Sequence, residues 1–597
     1  MLDGPNRPGN GRSEGPAQSS RKSLANRNWI DPVAEYGEKS LVSLCGNLDI
    51  SLPLGRILAA RNLLDDNLAY NFLNPRLEDM HSPFLLRDML KAINRIREAV
   101  EGHEKILVFG DYDMDGTASA TMLFSYLKSL GARAIYYIPH RLNDGYGITA
   151  ATVEKIRGWR VNLVITTDHG ATDMEAPPML AAHGIDIIVT DHHQMGGEKP
   201  AAHSLVNPQQ KDCQYPFKDL SAAGVVYKLI CALDDHLSEH QFFERNGLRR
   251  TPPDYYLDLV AMATVADMVP LLGENRILVK QGLERLNTRP RPGLSGLIKE
   301  CRIKGPITPR VISFRMAPKI NALGRIGDPK GAMQLLLSRS YSESRMLARE
   351  LLEANRARQE IEQVALEGAQ EQSAAMAHSH ALILQGTDWH PGVIGTIATR
   401  ISTETGKPTI VLTAQDSEYF MGSARSSNNV NILKMLDACA HLLERHGGHP
   451  NAAGLVIHKS RFEEFSRLFL SATKACGKLH CPPENLNIEA WLGQESLTPG
   501  FFQEVSRLSP FGYCNPEPMV GMKGVLLGEA DLINKRHLRF SLDASGGNRL
   551  EAFVRDCPDW ELDTNSRYDL AFMPQIYHSP RGPRSQLKVV DIKTCEG

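Results

Sequence analysis

Three aspartates follow an apolar run at every second position. The apolar run is residues 106–109, and the stretch VFGDYDMDG then places Asp111, Asp113 and Asp115 after it. The run predicts a buried strand, and side chains at every second position of an extended segment point to the same side. Carboxylates that lie this close raise one another's pKa, and they stay ionised together only beside cations. The spacing therefore predicts a metal site.

Two later apolar runs end in acids joined to histidines. One run ends as TTDHG, with Asp168 and His169, and the next ends as TDHH, with Asp191, His192 and His193. The carboxyl ends of parallel strands meet at one edge of a sheet, so all these side chains are expected to converge. Carboxylates mixed with imidazoles suit Mn²⁺ or Mg²⁺ better than a structural Zn²⁺ site, which favours thiolates.

Each of these patterns has a simpler explanation when it is taken alone. Asp-x-Asp-x-Asp is frequent in calcium-type loops and solvated turns, and a His-His pair arises by chance in a chain with 20 histidines. A solvent-exposed edge of a sheet rarely carries acids at the ends of three strands in one series. Five or more ligands exceed what one Mg²⁺ usually takes from protein, so we expect two divalent cations, Mn²⁺ or Mg²⁺, and a phosphoester substrate.

A further acid interrupts an apolar stretch. Asp267 follows LDLVAMATVA, whose residues are expected to be buried. An ionised carboxylate in such a place is costly unless a positive charge compensates it. It either pairs with an arginine or lysine or serves as another metal ligand, and the stretch alone does not decide between the two.

The elements that must position these groups alternate regularly. The strand-like runs ILVFGDYD, AIYYIPH, LVITTDHG and DIIVTDHH are separated by the helix-like segments ASATMLFSYLKSLG, TAATVEKIRG and PPMLAAHG. Near-continuous apolar runs separated by helices indicate a parallel sheet that is covered on both faces. The predicted fold class is therefore α/β, with a parallel sheet in this part of the chain.

The remaining patterns divide the chain into further parts. Residues 344–372 contain few helix breakers and an apolar stripe through Leu347, Leu351, Ile361 and Val364, which predicts a long helix. A second α/β alternation follows, and the chain from about residue 486 has the short strands of a small β-barrel. We predict a disordered tail (1–28), an α/β domain with an N-terminal helical part (29–335), a connecting helix (336–375), a second α/β domain (376–478) and a β-barrel domain (479–597).

Composition excludes several classes of protein. The 597 residues include 67 Lys and Arg against 69 Asp and Glu, which excludes a globally basic nucleic-acid coat but not a local basic groove. Ten cysteines without a Cys-x-x-Cys pair favour reduced thiols. No apolar run reaches the roughly 18 residues of a membrane helix, and the N-terminus lacks the apolar core of a secretory signal. We expect a soluble, cytoplasmic protein without a membrane partner.

The acid-containing stretches together resemble the four motifs of the DHH phosphoesterase superfamily, whose name matches the triplet Asp191, His192 and His193. The resemblance to the bacterial single-strand-specific 5′→3′ exonucleases of that superfamily covers roughly residues 30–597. It implies a DHH-associated second α/β domain and a C-terminal OB-fold. The matching stretches are GDYDMDG, TTDHG, TDHH, ATVADMVPL, PHRLNDGYG, PKINALGRIGD, WHPGVIG, GSARSS, RHGGHPNAAG and FGYCNPEP.

The resemblance implies a set of metal ligands. Asp113 and Asp115 would bind separate cations, and Asp168 would bridge them. His192 and Asp267 would complete the set. For Asp267, the resemblance favours the ligand role over an ion pair.

The resemblance also implies catalytic and binding residues beside the ligands. His193 would contact the scissile phosphate, Asp191 would orient the imidazoles, and Asp111 joins the catalytic group without a defined ligand role. His449 would reach the substrate from the second α/β domain. The implied contacts to nucleic acid and its 5′ phosphate are Arg141, Arg325, Ser423, Arg425, Gly447 and Gly448, in which guanidinium forks match phosphate oxygens and glycines permit close backbone approach.

Three residues depart from the usual pattern of these relatives. Met114 stands where a small residue is usual, His169 where Asn or Cys is commoner, and Lys319 where Arg is frequent. None of these changes removes an implied ligand. His169 either joins the metal shell or forms a hydrogen bond beside it, and we favour the second.

The implied activity is two-metal hydrolysis of single-stranded DNA from its 5′ end to 5′-mononucleotides, in DNA repair and recombination. The implied partner is single-stranded DNA, with a single-strand-binding protein and a RecQ-type helicase as further candidates, and the chain is expected to be a monomer. One or two of the barrel aromatics Phe540, Phe553, Phe572 and Tyr577 are expected to stack on bases.

Two alternatives share the same motifs. One is a phosphoesterase of short oligonucleotides or pyrophosphate, but a compact substrate needs neither the long helix nor the barrel. The other is a non-catalytic DNA-binding subunit of a replication assembly, but the candidate ligands are present in all four motifs.

Overall fold

The computed structural model describes residues 23–25, 27–31, 37–141, 144–145, 147–426, 430–475, 485–528, 530–534, 536–543, 549–557, 562–563, 566–579 and 582–594. Of the predicted tail, residues 1–22 and 26 lie outside this part of the chain. Ser23 and Ala25 are described, and both contact Asp591. Ser23 Oγ donates to Asp591 Oδ2 at 2.5 Å, and the Ala25 N–H donates to Oδ1 at 2.9 Å.

The helices and strands are numbered in chain order. The helices are α1 Glu38–Leu48, α2 Leu52–Ala60, α3 Asp66–Leu73, α4 Met89–Glu101, α5 Met114–Ser129, α6 Ala150–Gly158, α7 Ala176–Ala181, α8 Ala222–Glu239, α9 Phe242–Arg245, α10 Leu257–Ala266, α11 Gly273–Thr288, α12 Pro292–Glu300, α13 Pro309–Val311, α14 Ala317–Ile326, α15 Lys330–Leu337, α16 Tyr341–Ala375, α17 Ile394–Thr405, α18 Ile432–Asp437, α19 Phe462–Ala475 and α20 Pro499–Ser506. The strands are β1 Asn28–Ile30, β2 Lys105–Gly110, β3 Arg133–Tyr137, β4 Leu163–Thr167, β5 Asp186–Thr190, β6 Ser204–Val206, β7 Leu382–Gln385, β8 Thr409–Ala414, β9 Tyr419–Arg425, β10 Arg445–His449, β11 Ala452–His458, β12 Asn485–Asn487, β13 Ala490–Trp491, β14 Val520–Leu526, β15 Ala530–Ile533, β16 His537–Asp543, β17 Arg549–Val554, β18 Arg567–Ser579 and β19 Gly582–Thr594.

The chain divides into two compact units. One comprises residues 71–481 and 509–516, and the other comprises residues 1–70, 482–508 and 517–597. The first unit contains both α/β regions and the long helix between them. The second contains the C-terminal sheet and the N-terminal residues that pack with it.

The first α/β region is built on a five-stranded parallel sheet with the order β3-β2-β4-β5-β6. Successive residues of β2 enter two different cores: Ile106 and Val108 pack on one face, and Leu107 and Phe109 on the other. This burial of both faces explains why the strand is a continuous apolar run. Since β3 and β4 lie on opposite sides of β2, the strand order reverses between β2 and β4, which is where parallel sheets bind ligands.

The long helix α16 joins the two α/β regions and has 35 residues, which corresponds to about 52 Å. The predicted apolar stripe is correct for Leu347 and Leu351, which are buried, but wrong for Val364, which is 72% exposed. The first half of α16 packs on α12 and α14, whereas the second half buries Leu366 and Ala369 against the second region. At 100° per residue, the buried residues of both halves lie on one face of the helix, and Val364 lies on the opposite face. The predicted stripe therefore followed the wrong residues in the second half of the helix.

The second α/β region contains a five-stranded mixed sheet with the order β10-β11-β9-β8-β7. Only β7 and β8 pair in parallel, and the other pairs are antiparallel. The strands β9 and β10 contain the GSAR and RHGGH stretches, which lack the apolar alternation that would predict a strand. Pairing with β11 and β8 imposes the extended conformation on both, because neighbouring strands satisfy their backbone hydrogen bonds.

The C-terminal unit contains a seven-stranded sheet with the order β13-β14-β18-β19-β17-β16-β15. Phe540 and Phe572, two of the four aromatics expected near nucleotides, are buried in its interior and are core residues. Phe553 is partly buried, and Tyr577 is 56% exposed. Over the described ranges, no single helix meets the length and apolarity needed to cross a membrane, and only the bent pair α1 and α2 passes that test jointly.

Candidate metal centre and phosphate pocket

The first three aspartates lie at the junction between β2 and α5. Asp111 follows the strand, Asp113 caps the helix by accepting from the Gly116 N–H at 3.0 Å, and Asp115 lies in the first helical turn. The predicted extended alternation is therefore wrong, because the cap starts the helix at Met114. A Cβ at position 116 would lie 2.6 Å from the Asp111 Cβ, so a glycine is needed where the helix passes this loop.

Asp115 is held rigidly by the backbone of α8. Its Oδ2 and Oδ1 atoms each accept a hydrogen bond at 2.8 Å, from the N–H groups of Ala222 and Ala223. These two residues form the first turn of α8, whose N-terminal N–H groups favour a negative charge. The carboxylate is buried, and its position is fixed by two elements that are far apart in sequence.

The acids and imidazoles converge in three overlapping groups. In each group, one ligand atom from every member lies within 4.8 Å of the others. Asp168 belongs to two of the three groups, as does His192. A carboxylate has two oxygens and can bind two cations, whereas an imidazole with one free nitrogen binds one. The groups are Asp111 with Asp113 and Asp168, Asp115 with His192 and Asp267, and Asp168 with His192 and His193.

His192 presents a lone pair to this centre. Its Nδ1 lies 3.1 Å from the carbonyl oxygen of Leu220, to which it donates, so the proton is on Nδ1 and Nε2 is free to bind a cation. Burial lowers the pKa of His192 to about 4, which keeps the ring neutral. Nε2 lies 3.3 Å from Asp168 Oδ1 and 3.6 Å from Asp267 Oδ2. Neither Nε2 nor Asp168 Oδ1 has a hydrogen-bond partner within the described chain, although both atoms are buried.

The carboxyl groups are strongly destabilised as anions. Burial, followed by the charge of Asp113, raises the pKa of Asp111 and of Asp267 to about 7. Burial and neighbouring carboxylates also raise the pKa of Asp115 and Asp168 well above their usual range. Carboxylate oxygens are the donors that hard divalent cations prefer, and a neutral imidazole nitrogen is a further ligand that suits Mn²⁺. The residues therefore fit two divalent cations.

Asp191 and His193 form a separate pair beside this centre. Asp191 Oδ1 accepts from His193 Nδ1 at 2.7 Å, and Oδ2 accepts from the Ala171 N–H at 2.8 Å. The Asp191 hydrogen bond raises the pKa of His193 to about 9, so His193 is a cation at neutral pH. Although burial alone would raise the pKa of Asp191, the contact with His193 lowers it. His169 is buried against the Phe109 ring, with centroids 4.9 Å apart, and belongs to none of the three ligand groups.

A cluster of arginines lies beside the metal centre. The guanidinium of Arg141 lies 5.4 Å from the ring centroid of Tyr112, the residue that follows Asp111. Burial lowers the pKa of Arg325 and of Arg425, and so do the charges of the other arginines in the cluster. In the described part of the chain, none of the three arginines forms an ion pair with a carboxylate. Like charges held together without an acidic partner indicate an anion site.

The second α/β region completes this cluster, which we call the phosphate pocket: Arg141, Arg325, Ser423, Arg425 and the N-terminus of α17. Arg425 Nη1 donates to Ser423 Oγ at 2.9 Å. A Cβ at Gly395 would lie 3.2 Å from Arg425 Nη2 and 3.3 Å from Ser423 Oγ, so a side chain there would crowd the pocket. The N–H groups and the dipole of the helix end add to the positive potential.

His390 is a pocket residue that the sequence analysis did not single out. Its Nδ1 accepts from the Gly392 N–H at 2.9 Å, so the ring carries its proton on Nε2. Burial and the charge of Arg141 lower the pKa of His390. The sequence signal that could have identified His390 is its position in the stretch WHPGVIG, which matches the family pattern.

The remaining predicted site residues lie on the edge strand β10. Gly447, Gly448 and His449 are exposed, and Gly448 has a φ of 145° with its Cα facing the backbone of β11. A Cβ there would lie 2.3 Å from the Ala452 carbonyl oxygen, so this position requires glycine. Among the described contacts, none joins His449 to the carboxylates.

Three family models match separate parts of the chain. The family models for "DHH family, N-terminal domain", "DHHA1 domain" and "RecJ OB domain" match residues 105–264, 378–475 and 488–591. The α/β fold with a C-terminal OB-fold is thus confirmed, and the parallel sheet with its acidic edge is that of the DHH class.

Relatives identify the family within that class. The single-stranded-DNA-specific exonuclease RecJ of Dickeya dadantii is 32% identical over 523 residues, covering 84% of this chain and 89% of the relative. RecJ of Bacillus subtilis is 33% identical, and the match covers 86% of this chain and 64% of that longer protein. The crystal structure of Thermus thermophilus RecJ with Mn²⁺ matches with a TM-score of 0.79 at 28% identity, over 95% of this chain and 80% of that one. The chain belongs to the RecJ family, and the resemblance inferred from the motifs is confirmed.

Proposed function

We propose that the chain is a metal-dependent exonuclease that degrades single-stranded DNA from its 5′ end to 5′-mononucleotides, in DNA repair and recombination. The observation that carries this proposal is the proximity of two sites. Tyr112 follows Asp111 of the metal centre, and its ring lies under Arg141 of the phosphate pocket. A terminal phosphate in the pocket would therefore place the first phosphodiester bond near the carboxylates.

We assign the metal positions from the ligand groups. Asp113 with Asp111 would hold one cation, Asp115 with His192 and Asp267 would hold the other, and Asp168 would contribute to both. When bound, two divalent cations polarise the phosphodiester and activate a water molecule for attack on phosphorus. RecJ structures from Thermus thermophilus contain Mn²⁺ in one case and Mg²⁺ in another, which supports these two cations.

The remaining residues act through charge and position. His193, protonated at neutral pH, would donate to the scissile phosphate as negative charge accumulates. Asp191 fixes the orientation of that ring through the 2.7 Å hydrogen bond. His449 would reach the substrate from β10, with Gly447 and Gly448 allowing the strand to approach.

The pocket explains why cleavage would begin at a 5′ end. Arg141, Arg325, Ser423 and Arg425 would bind the terminal phosphate through charge-assisted hydrogen bonds. We include His390 in this set because its Nε2–H is a donor beside Arg141. The 5′ end of a DNA strand carries the terminal phosphate that this pocket would bind. An internal nucleotide would also need space in the pocket for the nucleotide that precedes it.

We further propose that the protein acts as a cytoplasmic monomer, with a single-strand-binding protein and a RecQ-type helicase as partners. Membership of the RecJ family supports these proposals, because exonuclease action on single strands requires a source of unwound DNA. The OB domain, matched over residues 488–591, is the expected platform for the strand.

A labelled single strand tests the proposed activity. With Mn²⁺ or Mg²⁺, a 5′-labelled strand should release labelled mononucleotide at once, and a 3′-labelled strand should shorten progressively. A chelator should stop both reactions. Preference for pyrophosphate or a dinucleotide over the long strand would favour the small-substrate alternative, and binding without cleavage would favour the non-catalytic one.

A further inference from the structure

A second group of metal-ligating side chains lies at the opposite end of α8 from the metal centre. His236, Glu239 and His240 present one ligand atom each, and these atoms lie within 4.8 Å of one another. The spacing i, i+3 and i+4 puts the three side chains on one face of a helix. Since Ala222 and Ala223 contact Asp115 at the start of α8, the group lies about 20 Å along the helix from the metal centre.

The tautomer of His240 leaves a nitrogen free to bind a cation. Its Nδ1 lies 2.8 Å from the backbone carbonyl oxygen of His236 and donates to it, so Nε2 carries the lone pair. Metal-binding histidines are commonly oriented by this kind of bond between the second ring nitrogen and a backbone carbonyl. His192 of the metal centre makes the same arrangement with Leu220.

His236 supplies a second nitrogen without a partner. Its Nε2 is shielded from water and has no hydrogen-bond partner within the described residues. The two imidazole rings lie side by side, with centroids 4.4 Å apart and planes inclined by 40°. Burial, and then the charge of His240, lowers the pKa of His236, which favours the neutral form that binds metals.

The charges around the group are balanced by two glutamates. Arg97 and Glu101 on α4 face His236 together with Glu239, so two carboxylates offset one guanidinium. Glu101 also lies 3.9 Å from Arg245, which is an exposed pair of small effect. The carboxylate of Glu239 is exposed and can turn toward the two imidazoles.

We propose that His236, Glu239 and His240 form a binding site for a transition-metal cation of the Zn²⁺ type, separate from the metal centre. Two imidazoles and one carboxylate are a donor set that Zn²⁺ accepts, with water in the remaining position. Mg²⁺ and Mn²⁺ prefer oxygen-rich sets, so we expect this site to bind Zn²⁺ in preference to them. A cation bound here would link the last turn of α8 to His240, the residue that follows the helix.

Zinc binding by the full-length chain tests the proposal. Protein dialysed against micromolar Zn²⁺ and analysed for metal content should hold one Zn²⁺ fewer per chain when His240→Ala is introduced. His183→Ala, which removes another exposed histidine, should leave the zinc content unchanged. An equal zinc content in wild type and His240→Ala would overturn the proposal. The metal centre also offers ligands to Zn²⁺, so the total zinc content does not test the proposal. The test is the difference in zinc content between wild type and His240→Ala.

Two further measurements separate a site from weak surface binding. Glu239→Gln should reduce the affinity for Zn²⁺ at least tenfold, since it removes the carboxylate and keeps the shape. Zn²⁺ should raise the Tm of wild type more than that of His240→Ala, because a ligand that binds only the folded state stabilises it. His240→Ala should retain wild-type DNA cleavage with Mn²⁺. Zinc binding that appears only at millimolar concentration, or an equal Tm increase in both proteins, would contradict the proposal.

Discussion

Nε2 of His192 and Oδ1 of Asp168 lie 3.3 Å apart, and both atoms are buried and have no hydrogen-bond partner in the described chain. The imidazole proton is on Nδ1, where it binds the Leu220 carbonyl, so two electron-rich atoms face each other. Such a contact persists only if a proton or a cation lies between or beside them. We therefore expect this position to bind either a proton or a divalent cation.

Replacing Asp168, the carboxylate proposed to bind both cations, should abolish catalysis. Asp168→Asn keeps the size of the side chain but removes the charge that both cation positions share. We expect kcat to fall about 10³-fold or more, equivalent to about 4 kcal/mol of transition-state stabilisation. Asp212→Asn, an exposed aspartate paired with Lys199, is the matched control and should cleave normally. Near-normal turnover by Asp168→Asn, measured on a labelled strand, would contradict the bridging role.

Cation binding should release protons and should weaken as the pH falls. In the metal-free protein, the pKa values of Asp111 and Asp267 are raised to about 7 from 3.8, so these groups are protonated below neutrality and a cation must displace their protons. Calorimetric titration with Mn²⁺ in two buffers of different ionisation enthalpy measures that release. Binding enthalpies that do not depend on the buffer would contradict the predicted proton release.

The sheet that carries the site was predictable because its strands are buried on both faces, which makes them apolar without interruption. The mixed sheet of the second region was only partly predictable. The strands β9 and β10 contain Ser423, Arg425, Gly447 and Gly448, and the polar residues and glycines of these stretches give no apolar alternation. Pairing with their neighbours, not local preference, makes these segments extended.

The site residues were predictable by type but not by geometry. The period of the aspartates suggested an extended segment, whereas Asp113 caps a helix and Asp115 is positioned by the amides of α8, 107 residues later. That contact depends on tertiary packing and leaves no local pattern. His390 was missed for a similar reason, since its neighbour Arg141 belongs to another region of the chain.

Asp191→Asn should change the pH profile of the reaction. Asp191 raises the pKa of His193 to about 9, so a reaction that needs the protonated ring should lose rate above that pH. In the variant, the alkaline limb of kcat should move down by about one pH unit or more, because the neutral amide no longer stabilises the imidazolium. A uniform loss of rate with an unmoved limb would indicate that Asp191 acts only in folding.

Arg425→Ala should weaken recognition of the 5′ phosphate more than it weakens the chemistry. A charge-assisted hydrogen bond contributes about 1.5–3 kcal/mol, so KM for a 5′-phosphorylated strand should rise about 10- to 150-fold. The KM for a 5′-hydroxyl strand should change little. Arg400→Ala, an exposed arginine on α17 that pairs with Glu404, is the matched control. Equal effects on both strands would contradict phosphate recognition.

The exposed face of the C-terminal sheet should contribute to strand binding through Tyr577. Tyr577 is opposite Arg584 in the β18–β19 pair, and both line one surface pocket with Arg549. Stacking of one base on an aromatic ring contributes about 1–3 kcal/mol, so Tyr577→Ala should weaken single-strand affinity about 5- to 150-fold. Arg584→Ala should instead reduce the salt dependence of binding by about one phosphate contact. Phe572→Ala, in the core, should unfold the domain, whereas Tyr577→Ala should keep the wild-type Tm. Unchanged DNA affinity in Tyr577→Ala, measured by fluorescence anisotropy, would place the strand on another face of the sheet.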